Sequence, residues 1–351
     1  MGINRTAVAL GLIGSLVSMT AAQTAGTIVT VNKSSSTVSL IDLATGTITA
    51  TVPTGEGPHE AAVSPDGKWA LVSDYGPSHA AGATLTLVDV QEGALAKTIN
   101  VQGHRRPHGI VWLPDGKTVL VTSEVDSSLL VVDVDRGAVA GVIKVGQPGG
   151  QLLALSEDGS TVYVTNVSSS TVTRIDLASR QAVKTVTMPQ AAEGIALRPD
   201  GKELWVSSRI GNKITVLSTA DLSVLGTIGS KDYPMRMRFT PDGKTVLVTF
   251  ARSGELKFFD ADARKEIEAV KMRVPKAALH GATSAEGYLY DTVPLGLTLT
   301  PDGLTAFVTL AGQDAVAVVS VRGRGIAKVW FTGREPDGVA FSPLVRALPS
   351  E

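Results

Sequence analysis

The sequence predicts an all-β protein, a seven-bladed β-propeller closed by pairing of its N- and C-terminal strands. Three observations lead there. A segment of about forty residues carrying four short strand-like runs recurs along the chain. A Pro-Asp-Gly or related turn punctuates each copy at the same place. One copy is split between the two ends of the chain.

The clearest copy runs from Ser160 to Gly201. Thr161 to Thr165 alternates β-branched and aromatic residues, which suit a pleated, half-buried surface. Asn166 to Ser170 is polar and reads as a turn. Thr171 to Ile175 is a second strand, stopped by Asp176, and Ala182 to Thr187 is a third. Gly194 to Leu197 is the fourth, followed by Pro199-Asp200-Gly201. Proline presets φ for the first turn position, and glycine takes the left-handed one. No run is long enough for a helix, and the apolar period is two.

The same punctuation stands at Pro65-Asp66-Gly67, Pro114-Asp115-Gly116, Glu157-Asp158-Gly159, Pro241-Asp242-Gly243 and Pro301-Asp302-Gly303. Successive turn aspartates are 49, 43, 42, 42 and 60 residues apart. A period in the forties with four strands is that of a propeller blade. Asp337 to Pro343 holds only a fourth run, whereas Thr27 to Val52 holds only the first three. Joined, they make a seventh blade, and their pairing removes the free sheet edges of an open ring.

Tyr163-Val164-Thr165-Asn166, the Pro-Asp-Gly-Lys turns and Ile41 to Gly46 carry a resemblance to the YVTN-repeat β-propeller family. It covers nearly all of the chain beyond residue 22. It implies the propeller fold; members of that family include cell-surface, binding and cofactor-associated proteins, so the fold does not carry a function with it.

Ahead of the repeat, Arg5 precedes an apolar stretch from Ala7 to Met19 that is too short to cross a bilayer, and Thr20-Ala21-Ala22 offers small residues for cleavage. Residues 1–22 therefore read as a signal peptide and 23–351 as one propeller, with a mature chain beginning near Gln23 in the periplasm or outside the cell. No second hydrophobic span follows, so no membrane span is expected. A formal net charge of -1, with no basic stripe, argues against nucleic acid. The absence of cysteine excludes disulfides, zinc–thiolate sites, iron–sulfur clusters and covalent c-type haem. A monomer is expected, held by packing and ring closure.

Two departures from the period fall on one face, called here the top. One lengthens the loop from Ser73 to Gly82, which carries Asp74, Tyr75 and His79; the other lies between Lys271 and Pro294 and carries His280, Tyr288, Tyr290 and Asp291. All five histidines map to the top side. Long loops on a rigid scaffold are where recognition usually resides.

The strongest candidate site comes from the repeat itself. Six positions before the Pro of each turn, or its equivalent, stand His59, His108, Gln151, Glu193, Met235, Leu295 and Asp337. These places are equivalent, at the top of each innermost strand, so they should ring the mouth of the central channel. Closure puts Asp337 beside His59, giving a polar arc through His108, Gln151 and Glu193. His59, His108 and Asp337 have the donor types for a divalent metal ion with positions left open. Glu60, Arg236 and Arg238 lie next to the ring, where they either bring charge to the mouth or, the preferred reading, form ion pairs on the sheet surface.

Other motifs fail. His59-Glu60 opens like a zincin helix, but Val63 stands where the second histidine belongs. No Gly-x-Ser-x-Gly elbow is present. Arg106-Pro107-His108 with Glu124 resembles the Pro-Arg-His and Glu pattern of propeller lactonases of the 6-phosphogluconolactonase type, although Pro107 is followed directly by His108 and Gly109, so its Arg and His are not both matched. The first expectation is thus a binding protein that takes a small molecule, peptide or partner protein across the top face, using His59, His108, Gln151, Glu193, Asp337, Tyr75 and His280. The alternative is a metal-dependent hydrolase or lyase, or an accessory to periplasmic redox enzymes, centred on the channel mouth.

Overall fold

The computed structural model describes residues 23–274 and 292–346. Those residues form seven four-stranded antiparallel sheets. In the repeat read above, the strands are Thr161–Asn166, Thr171–Asp176 and Gln181–Thr187, and the next blade begins with Ala192–Leu197. A strand from each blade lies innermost, and these seven touch one another in a closed circle around the channel. The seventh blade is shared between the ends of the chain: Pro336–Ser342 pairs antiparallel with Thr27–Asn32, from Thr27 opposite Ser342 to Asn32 opposite Pro336.

Side-chain alternation builds the core between blades. Leu71, Leu85 and Ile99 of one blade meet Trp112, Val119, Val121 and Leu130 of the next, all buried. Outermost strands such as Gln181–Thr187 are largely exposed and carry little of this core. On the bottom face, the carboxylate of each turn aspartate accepts the N–H two residues on: Lys68 to Asp66, Lys117 to Asp115, Ser160 to Asp158, Lys202 to Asp200, Lys244 to Asp242 and Leu304 to Asp302, at 2.9–3.1 Å.

Three repeated devices shape the top of the channel. First, each innermost strand is bulged near its start, where pairing slips between Pro58 and Ala61, Pro107 and Ile110, Gly150 and Leu153, Ala192 and Ile195, Pro234 and Met237, and Pro294 and Leu297. The seventh strand slips at the same place, opposite Thr30 and Asn32. A bulge sets two residues against one and re-aims their side chains; here the two are the ring residue and the one after it, as His59 and Glu60 are between Pro58 and Ala61. Second, the residue two before each ring position is left-handed: Gly57, Arg106, Gly149, Ala191, Tyr233, Val293 and Glu335. Such a φ is rare for a β-branched residue like Val293, and its recurrence in every blade marks it as part of the scaffold.

Third, a hydroxyl staples neighbouring blades. Thr165 Oγ1 accepts from Leu152 N–H in its own blade and donates to Glu193 O in the next, at 3.1 and 2.7 Å. Thr122, Ser207, Thr249 and Thr309 donate likewise to the carbonyls of Gln151, Met235, Leu295 and Asp337. The strands approach closely there: a Cβ on Gly194 would lie 1.9 Å from Met235 O, and one on Gly296 2.1 Å from Asp337 O.

Asn166, read from sequence as the start of a turn, is the last residue of a strand and fully buried. Its amide donates to Thr171 and Thr173, both at 3.0 Å, and Asn32 does the same to Thr37 and Ser39. Asp74 stands at this place in the blade with the long loop and reverses the polarity, accepting from Thr84 and Thr86. Burial pushes its carboxyl up to about 6, against those two hydroxyls. Among the described residues no helix is long and apolar enough to cross a membrane.

Candidate functional site

All seven ring residues predicted from the repeat line one cavity of about 150 Å³ at the top of the channel. His59, His108, Gln151, Glu193 and Asp337 are buried, and Met235 and Leu295 close the opposite side. A second ring stands above it. The residue after the end of each second strand is Lys33, Tyr75, Glu124, Val167, Arg209, Ala251 or Ala311, and all but Ala251 line the same cavity. Sequence reasoning singled out only Tyr75 and, in the partial motif, Glu124 of these, although the spacing rule that gave the first ring would have given the second.

An open groove of about 770 Å³ adjoins the cavity, bounded by the long loop with His79 and by Arg106, Glu124, Lys33 and Glu335. Tyr75 forms the shared wall. Its hydroxyl donates to Glu124 at 2.6 Å, the Arg106 guanidinium covers one side of its ring at 4.5 Å, and His59 packs against it with centroids 4.1 Å apart. Burial and the Glu124 hydrogen bond push the Tyr75 hydroxyl well up, so it stays protonated. His280 lies outside the described residues.

His59 and His108 are neighbours, ring centroids 5.1 Å apart. Burial holds His59 well below 6.5, helped by the charges of Lys33, Arg236 and Arg106 and by His108. Burial does the same to His108, helped by Arg236, Lys33 and Arg209. Both rings are therefore neutral near neutral pH. The unfolded chain binds more protons than the fold below about 6.5, so this contribution to stability is present above that pH and drains away as pH falls. Wild-type melting temperature is expected to fall more steeply than that of a His59→Phe variant between about pH 7.5 and about pH 5; parallel curves would contradict a buried neutral His59.

The three predicted metal ligands do not form a ligand set. His108 Nε2 is occupied by the Gln151 amide at 3.1 Å, and His59 Nε2 lies 3.9 Å from Asp337 Oδ2. Among the described residues no three His, Asp or Glu side chains converge to hold an ion. The imidazoles tilt against each other and against Tyr75, an arrangement of packing and not of coordination.

Of the charged neighbours of the ring, Arg236 is buried and Glu60 half-buried, and the two meet inside the channel and not on the sheet surface, whereas Arg238 is exposed. Arg236 reaches from the strand Pro234–Phe239 to Glu60 on Pro58–Val63, with two blades between them on one side and three on the other. Its Nη1 donates to Glu193 at 2.6 Å, and Arg209 stands 3.4 Å from the second Glu193 oxygen. Burial works against the Arg236 charge, but Glu60, Glu193 and Asp337 outweigh it and hold the guanidinium firmly protonated. Arg236 also lines a smaller cavity of about 40 Å³, together with Glu60 and Arg238, so it is a strut dividing the channel into two chambers.

The sequence matches the model of the family described as lactonase, 7-bladed beta-propeller, over residues 17–275. The chain belongs to that family. The YVTN-repeat family is not named by this match; it is a related kind of propeller. Arg106, His108 and Glu124 of this lactonase-family propeller, the residues of the partial motif, all border the cavity or its groove. No curated protein matches the sequence. Among solved structures, the lactonase-family chain is similar to Kuenenia stuttgartiensis hydrazine synthase, with 20% identity, a TM-score of 0.69 and coverage of 89% of this chain and 99% of that one. It is also similar to a functionally unknown protein from Desulfotomaculum acetoxidans, with 16% identity, a TM-score of 0.72 and coverage of 90% and 99%. At such identities the likeness is one of fold.

Proposed function

We propose that this lactonase-family propeller is exported and binds a small polar molecule at the channel mouth, with the adjoining groove receiving whatever part of it the cavity cannot hold. The observation that carries this reading is His59, a buried neutral imidazole in the cavity wall with neither ring nitrogen hydrogen-bonded to the protein. A buried polar group left unpaired costs about 1–3 kcal/mol, which a bound molecule can restore. A cavity near 150 Å³ accepts about six non-hydrogen atoms, since one of that size takes benzene. A macromolecule could insert only a tip.

A second reading, hydrolysis of a small cyclic ester, is favoured by the His59–Asp337 pair at 3.9 Å and by the family's description. Neutral His59 would take a proton from water as the water oxygen attacks the acyl carbon. Asp337 would steady the imidazolium, and the proton would pass to the ring oxygen as the acyl–oxygen bond breaks. The product is a hydroxy acid.

Calorimetric titration with γ-butyrolactone, erythritol and butylamine tests both. At least one probe is expected to bind the wild type, and His59→Phe, which keeps the ring stacked on Tyr75, is expected to weaken it about tenfold. Failure of all three to bind, or equal binding by the variant, overturns the binding reading. Base consumption at constant pH reports lactone opening; binding with only the uncatalysed rate removes the hydrolytic one.

A further inference from the structure

The cavity contains a hydrogen-bond chain that decides which nitrogen of His108 carries its proton. Arg236 donates to Glu193 Oε1 at 2.6 Å, and Gln151 Nε2 donates to that same oxygen at 3.1 Å. The carboxylate can only accept, so it fixes which end of the Gln151 amide faces it. The second hydrogen of that NH₂ group then meets His108 Nε2, 3.1 Å away. Nε2 must accept, and a neutral imidazole that accepts there carries its hydrogen on Nδ1.

Building on the binding reading, we infer that Gln151 and Glu193 are positioning residues that hold His108 as the Nδ1–H tautomer, so that this ring offers a bound molecule a donor and no free acceptor. His108 Nδ1 is buried and has no protein partner. The molecule that satisfies it carries an acceptor oxygen, of the carbonyl or ether kind. The two imidazoles thereby differ in role: His108 has one assigned proton and one occupied nitrogen, whereas His59 has both nitrogens unpaired. Glu193, 1% exposed, lies between Arg236 and Arg209, at 2.6 and 3.4 Å, so the chain starts from two guanidinium contacts.

Long-range proton–nitrogen correlation spectra of the ¹⁵N-labelled protein near neutral pH test this without any ligand, so the result is independent of whether a probe binds. The His108 signals are those missing from a His108→Phe variant. In the wild type, the pyridine-like nitrogen is expected to be the one coupled to both ring protons, which is Nε2. In Gln151→Met the donor to Nε2 is gone, and the two nitrogens are expected to exchange character partly or wholly. A wild-type His108 protonated at Nε2 overturns the proposal, as does an unchanged pattern in Gln151→Met. Since the wild-type spectrum alone decides the tautomer, a variant that fails to fold leaves the test intact.

Discussion

A chain cut before Gly333 is expected to aggregate, or to lose its cooperative melting transition. The cut removes Pro336–Ser342, the innermost strand of the closing blade, and leaves Thr27–Asn32 as a bare edge. It also takes Val339 out of the cluster holding Ile28, Ile41, Phe307 and Trp330, and Ala340 out of the cluster around Val29 and Leu40. A strand ladder at about 1 kcal/mol per hydrogen bond, with about 1.5–3 kcal/mol for each large buried side chain, rivals the entire 5–15 kcal/mol or so that stabilises a typical domain. Exposed edges on a ring that cannot close invite pairing between chains. Sedimentation and thermal melting measure the outcome. Adding a peptide of residues 332–346 should restore part of the transition, and a truncated chain that stays monomeric with unchanged melting would refute the role of closure.

The second large effect is expected at the strut. Arg236→Met leaves Glu193 and Glu60 without their shared cation inside the channel, and breaking one side of a buried pair costs about 3–5 kcal/mol. Arg209, still 3.4 Å from Glu193, softens the loss without replacing a contact made at 2.6 Å. The variant's buried carboxylates gain affinity for protons in the fold relative to the unfolded chain. The fold then binds more protons, so stability falls as pH rises. The defect should be smaller near pH 5 than near pH 7.5, and Glu193→Gln added to Arg236→Met should recover part of it. Denaturant unfolding at the two pH values checks this; a loss below about 1 kcal/mol, equal at both, would show the strut to be idle.

The repeat made the fold and the first ring legible, because a period turns one well-read position into seven. The ring residues were found by counting back from Pro-Asp-Gly turns, and each occupies the place that counting assigned. What the count could not convey is direction. The bulge that turns His59 and His108 into the cavity lies in hydrogen-bond register, which leaves no mark in the alternation of apolar residues. The metal expectation failed to assemble for a related reason. Donor types were read correctly, but Gln151 takes the His108 nitrogen and the imidazoles pack tilted against each other. Arg236 and Glu60 were misplaced because their meeting depends on the width of the channel, which no local spacing encodes. Asn166 was read as a turn residue on the usual preference of asparagine, and only the two threonine hydroxyls facing it in the strand beyond reveal its buried role.

The hydroxyl staple grips the main-chain carbonyl of a ring residue and never its side chain. Glutamate, methionine and leucine are held by the same bond in successive blades. Backbone geometry at the mouth is thereby insulated from the chemistry displayed there. The five stapled positions, Gln151, Glu193, Met235, Leu295 and Asp337, can be rewritten separately, each on a template that does not register the change. A ring built this way can diversify its ligands by drift at five letters while it goes on folding, so kinship in the scaffold and kinship in the ligand are inherited on different schedules.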